Sequence, residues 1–125
     1  MKLLLTLTTI IEAVAGLALL GIPSATVSLL LGSGLDTPAA VAIGRLAGVA
    51  LCALGLACWL VRSGLQSCEA RGIITAVTFY NFGAVAILSF AGTQLNPVGI
   101  ALWPAVVLHA AMTVWCLTGL LCKPA

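Results

Sequence analysis

Long apolar runs, separated by short polar stretches, divide this sequence into four segments of helix length. They cover residues 3–22, 39–61, 72–91 and 99–122. At a rise of about 1.5 Å per residue, an apolar helix of some 20 residues spans the ~30 Å hydrocarbon core of a bilayer. The pattern therefore predicts an all-α integral membrane protein, a bundle of four transmembrane helices that forms one domain over residues 1–125.

The connections between the runs carry turn residues and polar residues. Pro23 ends the first run, because proline cannot continue the helical hydrogen bonding without a kink. Residues 24–32 are apolar but too short to cross a membrane, so they are predicted to form a short interfacial helix. Glycine and proline mark a loop at 33–38, and the polar stretch 63–71 is predicted to be a second loop.

Composition supports the membrane assignment. Hydrophobic residues make up 62% of the chain and charged residues only 6%, whereas soluble domains carry about 25% charged residues. A water-soluble domain is therefore excluded, and the lipid bilayer is the predicted surrounding. The net charge of +2 and the lack of a basic run give no reason to expect a nucleic-acid partner.

The distribution of charge predicts an orientation. Lys2, Arg62, Arg71 and Lys123 all fall on one side of the predicted membrane, whereas the other side carries only Asp36. Because Lys and Arg accumulate in cytoplasmic loops, both termini are predicted to lie in the cytoplasm. The chain is then a multi-pass protein of the bacterial inner membrane.

Small residues recur every four positions along the second predicted span, at Ala40, Gly44, Gly48 and Cys52. Residues at this spacing share one face of a helix, and a face of small side chains lets a neighbouring helix approach closely in lipid. This helix-packing face is predicted to contact another helix of the chain, a second copy in a homo-oligomer, or a partner membrane protein.

Each predicted span also carries polar residues deep in the membrane. They are Glu12, Arg45, the pair Tyr80 and Asn81, and His109, about 15–25 Å from the nearest cytoplasmic charge by helical rise. Intramembrane charges are costly, so we predict that these side chains converge, with Glu12 and Arg45 as electrostatic partners. They could form a polar pocket or serve as interhelical hydrogen bonds that hold the bundle together, and Arg45 could instead reach the outer headgroups.

No motif in the sequence indicates catalysis, a metal site or a cofactor, so an enzymatic role is not favoured. A single histidine cannot supply both axial ligands of a haem within one chain. Cysteines six positions apart lie about 120° apart around a helix, too far to share one metal ion. The five cysteines, predicted to be small apolar packing residues, are Cys52, Cys58, Cys68, Cys116 and Cys122.

Several of these residues stand in short segments that together resemble a group of small bacterial four-span membrane proteins. In size and span number the chain is similar to DoxX-type proteins. The resemblance implies a four-span bundle and implies no particular activity. The segments are Glu12-Ala13 with Gly16-Leu17, Pro23, Gly44-Arg45-Leu46-Ala47-Gly48, Tyr80-Asn81, and Leu102-Trp103-Pro104 with His109.

Three classes of function are compatible with this sequence. The polar cluster favours a membrane protein that binds or transports a small solute. The small-residue face is compatible with an accessory subunit of a larger membrane complex. His109, Glu12 and Tyr80 could also serve a quinone- or haem-associated redox subunit, although the sequence lacks a second histidine.

Overall fold

A computed structural model of the protein describes residues 1–64 and 68–121. These residues form five helices and no strand: α1 (Lys2–Gly21), α2 (Pro23–Leu31), α3 (Pro38–Val61), α4 (Cys68–Gln94) and α5 (Leu102–Leu121). All except α2 are long and apolar enough to cross a membrane. The structure thus confirms the prediction of an all-helical chain with four span-length helices and a short helix after the first.

The boundaries of α4 and α5 differ from the predicted spans. α4 begins at Cys68, inside the stretch predicted to be a loop, and continues to Gln94. Its polar first turn suits a helix start, because Glu69 there complements the positive end of the helix dipole. α5 begins at Leu102 rather than at residue 99. Residues 65–67 of the predicted loop, Cys122 and Lys123 lie outside the described residues.

Helices α1 and α3 pack antiparallel at very close range. A Cβ atom added to Gly16 would lie 2.7 Å from the Gly48 carbonyl oxygen, and one added to Gly48 would lie 2.7 Å from the Gly16 carbonyl oxygen. About two turns along the contact, the Thr9 hydroxyl donates to the Gly55 carbonyl at 3.1 Å. Glycine at these positions is therefore what allows the two backbones to touch.

Helices α4 and α5 form a second antiparallel pair. Near one end of the pair, Gly92 lies against the side chains of Leu102 and Trp103, and its Cβ position is 2.9 Å from Leu102 Cδ2. Near the other end, Arg71 Nη2 donates to the Leu120 carbonyl at 3.4 Å. Contacts within this pair and within the α1–α3 pair are more extensive than the contacts between the two pairs.

The apolar core lies at one end of the bundle, where α1 begins and α5 ends, which we call the closed end. All four long helices contribute to it, so the two pairs are joined there by a filled core. The buried residues of this core are Leu4, Leu5, Cys58, Ile74, Val77, Met112 and Cys116.

The short helix α2 packs at the opposite end of the bundle. Its start is tied to the following loop, since the Leu35 amide donates to Ser24 Oγ at 2.9 Å. Its end is tied to the start of α5, since the Ala101 amide donates to the Leu29 carbonyl at 2.9 Å. Gly32 terminates α2 with φ of +85°, a left-handed conformation that glycine adopts without strain. α2 therefore bridges the two helix pairs away from the closed end.

Candidate functional site

A cavity of about 780 Å³ lies between the two helix pairs, and residues of all five helices line it. Its polar lining residues are Thr26, Tyr80 and His109, and the rest of the wall consists of aliphatic and aromatic side chains, alanine and glycine. On α1 the lining residues are spaced by four, at Ile11, Ala15 and Leu19, so one face of that helix forms the wall. The cavity is a predominantly apolar space between the closed end and α2.

A buried amide holds His109 in place at this wall. Asn81 Oδ1 lies 2.7 Å from His109 Nδ1, and Asn81 Nδ2 donates to the Val77 carbonyl at 2.8 Å. Asn81 is only 2% exposed and does not line the cavity. It therefore acts behind the wall, as the residue that positions the imidazole.

This arrangement determines which ring nitrogen of His109 carries the proton. A backbone carbonyl can only accept a hydrogen bond, so the Asn81 nitrogen must face Val77 and the Asn81 oxygen must face His109. The oxygen in turn requires a donor, and Nδ1 of the imidazole is that donor. In the neutral ring, Nε2 is then an acceptor.

Nε2 of His109 is not fully buried, and His109 lines the cavity. In the part of the chain that the structure describes, every fully buried side-chain nitrogen or oxygen has a hydrogen-bond partner. Nε2 has no partner among those residues, so it is not fully buried, and His109 is part of the cavity wall. The imidazole thus has an unused acceptor, and its ring is part of the cavity wall.

Tyr80 stands beside His109 and connects it to Glu12. The two rings meet edge to face, with centroids 5.7 Å apart and an interplanar angle of 82°. Tyr80 and Glu12 lie close enough to interact electrostatically, and Glu12 is only 3% exposed. Glu12, Tyr80, Asn81 and His109 form what we call the polar network, which joins α1 of one helix pair to α4 and α5 of the other.

Arg45 lies apart from the polar network, exposed on the surface of α3. It makes no ion pair or hydrogen bond with any residue in 1–64 or 68–121, Glu12 included. The helix geometry explains this position. Ala47 lines the cavity, and residues two apart on a helix point about 160° apart, so Arg45 faces away from it.

The predicted helix-packing face is occupied largely within the chain. Gly48 and Cys52 lie against Gly16 of α1, where the Cys52 Sγ atom is 2.6 Å from the Gly16 Cβ position. Gly44 lies against α2 and the loop after it, 3.4 Å from Pro23 Cβ at its own Cβ position. Ala40, in the first turn of α3, is half-buried, and its amide donates to Thr37 Oγ1 at 3.1 Å.

The apolar wall is the part of the site that the sequence analysis missed. Small or polar residues spaced by four mark it at Ala101, just before α5, at Ala105 and His109 of α5, and at Tyr80 and Ala84 of α4. This spacing places each set on one helix face, together with one polar side chain. This spacing can be read from the sequence. It does not show whether a facing helix fills the space beside these small residues or leaves a cavity.

The described residues include no group of three His, Cys, Asp or Glu side chains that could hold a metal ion. Comparison of the chain with models of protein families, with curated proteins and with solved structures finds no match. The cavity and the polar network are therefore the basis for a functional proposal.

Proposed function

We propose that this protein is an integral membrane protein that binds a small hydrophobic molecule in the cavity between its two helix pairs. The observation that carries the proposal is the cavity itself, about 780 Å³ with an almost wholly apolar wall. Ligand pockets measure about 300–1,000 Å³ and combine an apolar lining with a few polar groups that orient the ligand. Tyr80 and His109 are suited to that orienting role.

The nature of the wall favours a hydrophobic ligand over a polar solute. A strongly polar molecule would lose its hydration in the cavity and find hydrogen-bonding groups only at Thr26, Tyr80 and His109. The closed end also argues for binding rather than for passage across the membrane. Leu4, Leu5 and their neighbours fill it, and none of the core residues there lines the cavity.

The proposed setting is a cell membrane, with both termini in the cytoplasm. Lys2, Arg62 and Arg71 all lie at the closed end, where α1 begins, α3 ends and α4 begins. Accumulation of basic residues at one end favours that end as the cytoplasmic one. The cavity and α2 would then lie in the outer half of the bilayer, within reach of molecules dissolved in the lipid.

An accessory-subunit role is less favoured by the geometry. The Gly44 and Gly48 surface that would serve for docking already contacts α1, α2 and the loop after it. Association with a second copy or a partner membrane protein would therefore use a different surface. A haem-linked role would likewise require a ligand that His109 alone does not supply.

Filling the cavity tests the proposal, and two glycines of α4 offer a matched pair. Gly83 lines the cavity and Gly72 does not, and a Cβ atom at either position meets nothing within 4 Å. A Gly83→Trp side chain should therefore occupy the cavity, whereas Gly72→Trp should leave it unchanged. Both variants should fold, because replacing a helical glycine improves helix propensity.

The measurement is photolabelling of the protein in lipid nanodiscs with an alkyl diazirine, followed by mapping of the labelled residues. We expect saturable labelling of the partly buried cavity residues Leu19 and Leu88, in excess of labelling at the exposed Val14. Gly83→Trp should lower that excess about tenfold, and Gly72→Trp should not. Equal, unsaturable labelling of cavity and outer surface would overturn the proposal.

A further inference from the structure

We infer that the molecule bound in this cavity carries a hydroxyl donor on an apolar body, as a lipid alcohol or a phenol does. The inference rests on the proposed binding function and names the class of ligand. Its basis is the direction of the hydrogen bonds in the polar network, which leaves an acceptor at the cavity wall.

The acceptor is Nε2 of His109. Asn81 engages Nδ1 at 2.7 Å and orients it as the donor, so the lone pair of the neutral ring is on Nε2. A neutral ring is favoured here because the surrounding wall is apolar and an imidazolium would need a charged partner. No such partner lies within ion-pair distance among the described residues. A ligand that satisfies Nε2 must therefore donate a hydrogen bond.

Tyr80 adds a second acceptor beside the first. The side chain of Tyr80 lies close enough to Glu12 to interact with it electrostatically. The phenolic oxygen keeps its lone pairs, and Tyr80 is part of the cavity wall next to His109. Tyr80 can therefore accept a second hydrogen bond from a donor on the ligand, while the preference for a donor rests on Nε2 of His109.

The hydroxyl of the ligand contributes a larger share of the binding free energy here than it would in a pocket filled from water. A ligand that arrives from the bilayer leaves one apolar surrounding for another, so its hydrocarbon body gains little from entering the cavity. A hydroxyl that enters the apolar cavity would lack a partner there, and the hydrogen bond to Nε2 removes that deficit. An ether or a ketone brings only lone pairs toward Nε2, and a carboxylate would add an unpaired charge.

Two probes of equal size test the inference on the unmodified protein. Dodecanol and methyl undecyl ether have the same number of heavy atoms, and only the alcohol can donate. Competition for tritiated dodecanol would be measured by scintillation proximity on protein in nanodiscs, with empty nanodiscs as background. We expect the ether to compete about three- to tenfold less well, the difference that one net hydrogen bond makes. Equal competition by the two probes, or stronger competition by the ether, would overturn the inference.

Substitution at His109 assigns the preference to its acceptor. His109→Phe keeps an aromatic ring in the wall and removes Nε2, so the preference for the alcohol should fall to about onefold while the ether still competes. Thr118→Val is the matched control on the same helix, since Thr118 is exposed and its hydroxyl donates to the Trp115 carbonyl. A preference that survives in His109→Phe would contradict the assignment.

The experiment separates the two proposals. If Gly83→Trp blocks both probes and the two bind equally to the unmodified protein, the binding function stands and the hydroxyl requirement is wrong. If dodecanol shows no saturable binding while the alkyl diazirine labels the cavity, the hydroxyl requirement is again wrong. If neither dodecanol nor the alkyl diazirine binds saturably, the binding function itself is wrong.

Discussion

At the scale of single residues, the pairing of Asn81 with His109 joins α4 to α5 through a side-chain hydrogen bond at the cavity wall. Asn81 satisfies its amide nitrogen at Val77 and its oxygen at His109, so neither polar atom of the buried side chain lacks a partner. Polar side chains at this depth in a membrane are tolerated only when their partners are present. The contact therefore stabilises the α4–α5 pair and also orients the imidazole.

A double-mutant cycle measures this pairing. Asn81→Leu and His109→Phe should each lower the free energy of unfolding by about 1–3 kcal/mol, because each leaves a polar group without its partner. The double variant should lose less than the sum, since two apolar side chains leave nothing unpaired. Unfolding of the protein in mild detergent would be followed by circular dichroism. Strict additivity would show that the two side chains do not depend on each other.

At the scale of helices, the pair α1–α3 depends on backbone contact. The carbonyl oxygens of Gly16 and Gly48 each lie 2.7 Å from the Cβ position of the other residue, and a backbone atom cannot move aside as a flexible side chain can. The small-residue pattern on α3 predicted a close neighbour. The structure identifies that neighbour as α1 of the same chain.

Alanine at two glycines should therefore change stability in opposite directions. Gly48→Ala should force α1 and α3 apart and destabilise the fold by about 1–3 kcal/mol, as overpacking does. Gly72→Ala meets nothing within 4 Å and should stabilise α4 by up to about 1 kcal/mol through helix propensity. Thermal unfolding of both variants in the same detergent provides the comparison. Equal stability of the two variants would mean that α1 and α3 lie farther apart at Gly48 than the 2.7 Å distances indicate.

At the scale of the whole molecule, one end of the bundle is filled and the other contains the cavity. The core at the closed end draws side chains from α1, α3, α4 and α5, whereas the opposite end is bridged by the short α2. Because α2 is short, it holds the two helix pairs together at this end and still leaves the cavity between them. In the proposed orientation, the proposed ligand site lies in the outer leaflet.

Cysteine labelling in intact cells tests the orientation. In a background with the native cysteines replaced, Ser33→Cys in the loop after α2 should react with a membrane-impermeant maleimide. Ser63→Cys, at the closed end beside Arg62, should react only after the cells are permeabilised. Both serines are exposed, so their accessibility to the reagent is matched. The reverse pattern would place the closed end outside the cell.

The amino-acid sequence by itself determined the number of long helices, the short helix after Pro23 and the polar character of Glu12, Tyr80, Asn81 and His109. These features follow from run length, turn residues and residue type, which are local properties of a chain. The start of α4 was harder to predict, because its polar first turn resembles a loop in sequence.

Only the tertiary structure decided which faces meet. The sequence placed Arg45 with the other polar residues, but the rotation of α3 that brings Gly48 against Gly16 also turns Arg45 to the surface. The cavity likewise exists because the helix pairs do not fill the space between them, a relation among residues far apart in the chain. Depth along a helix can be counted from the sequence, whereas the direction in which a side chain points depends on its neighbours.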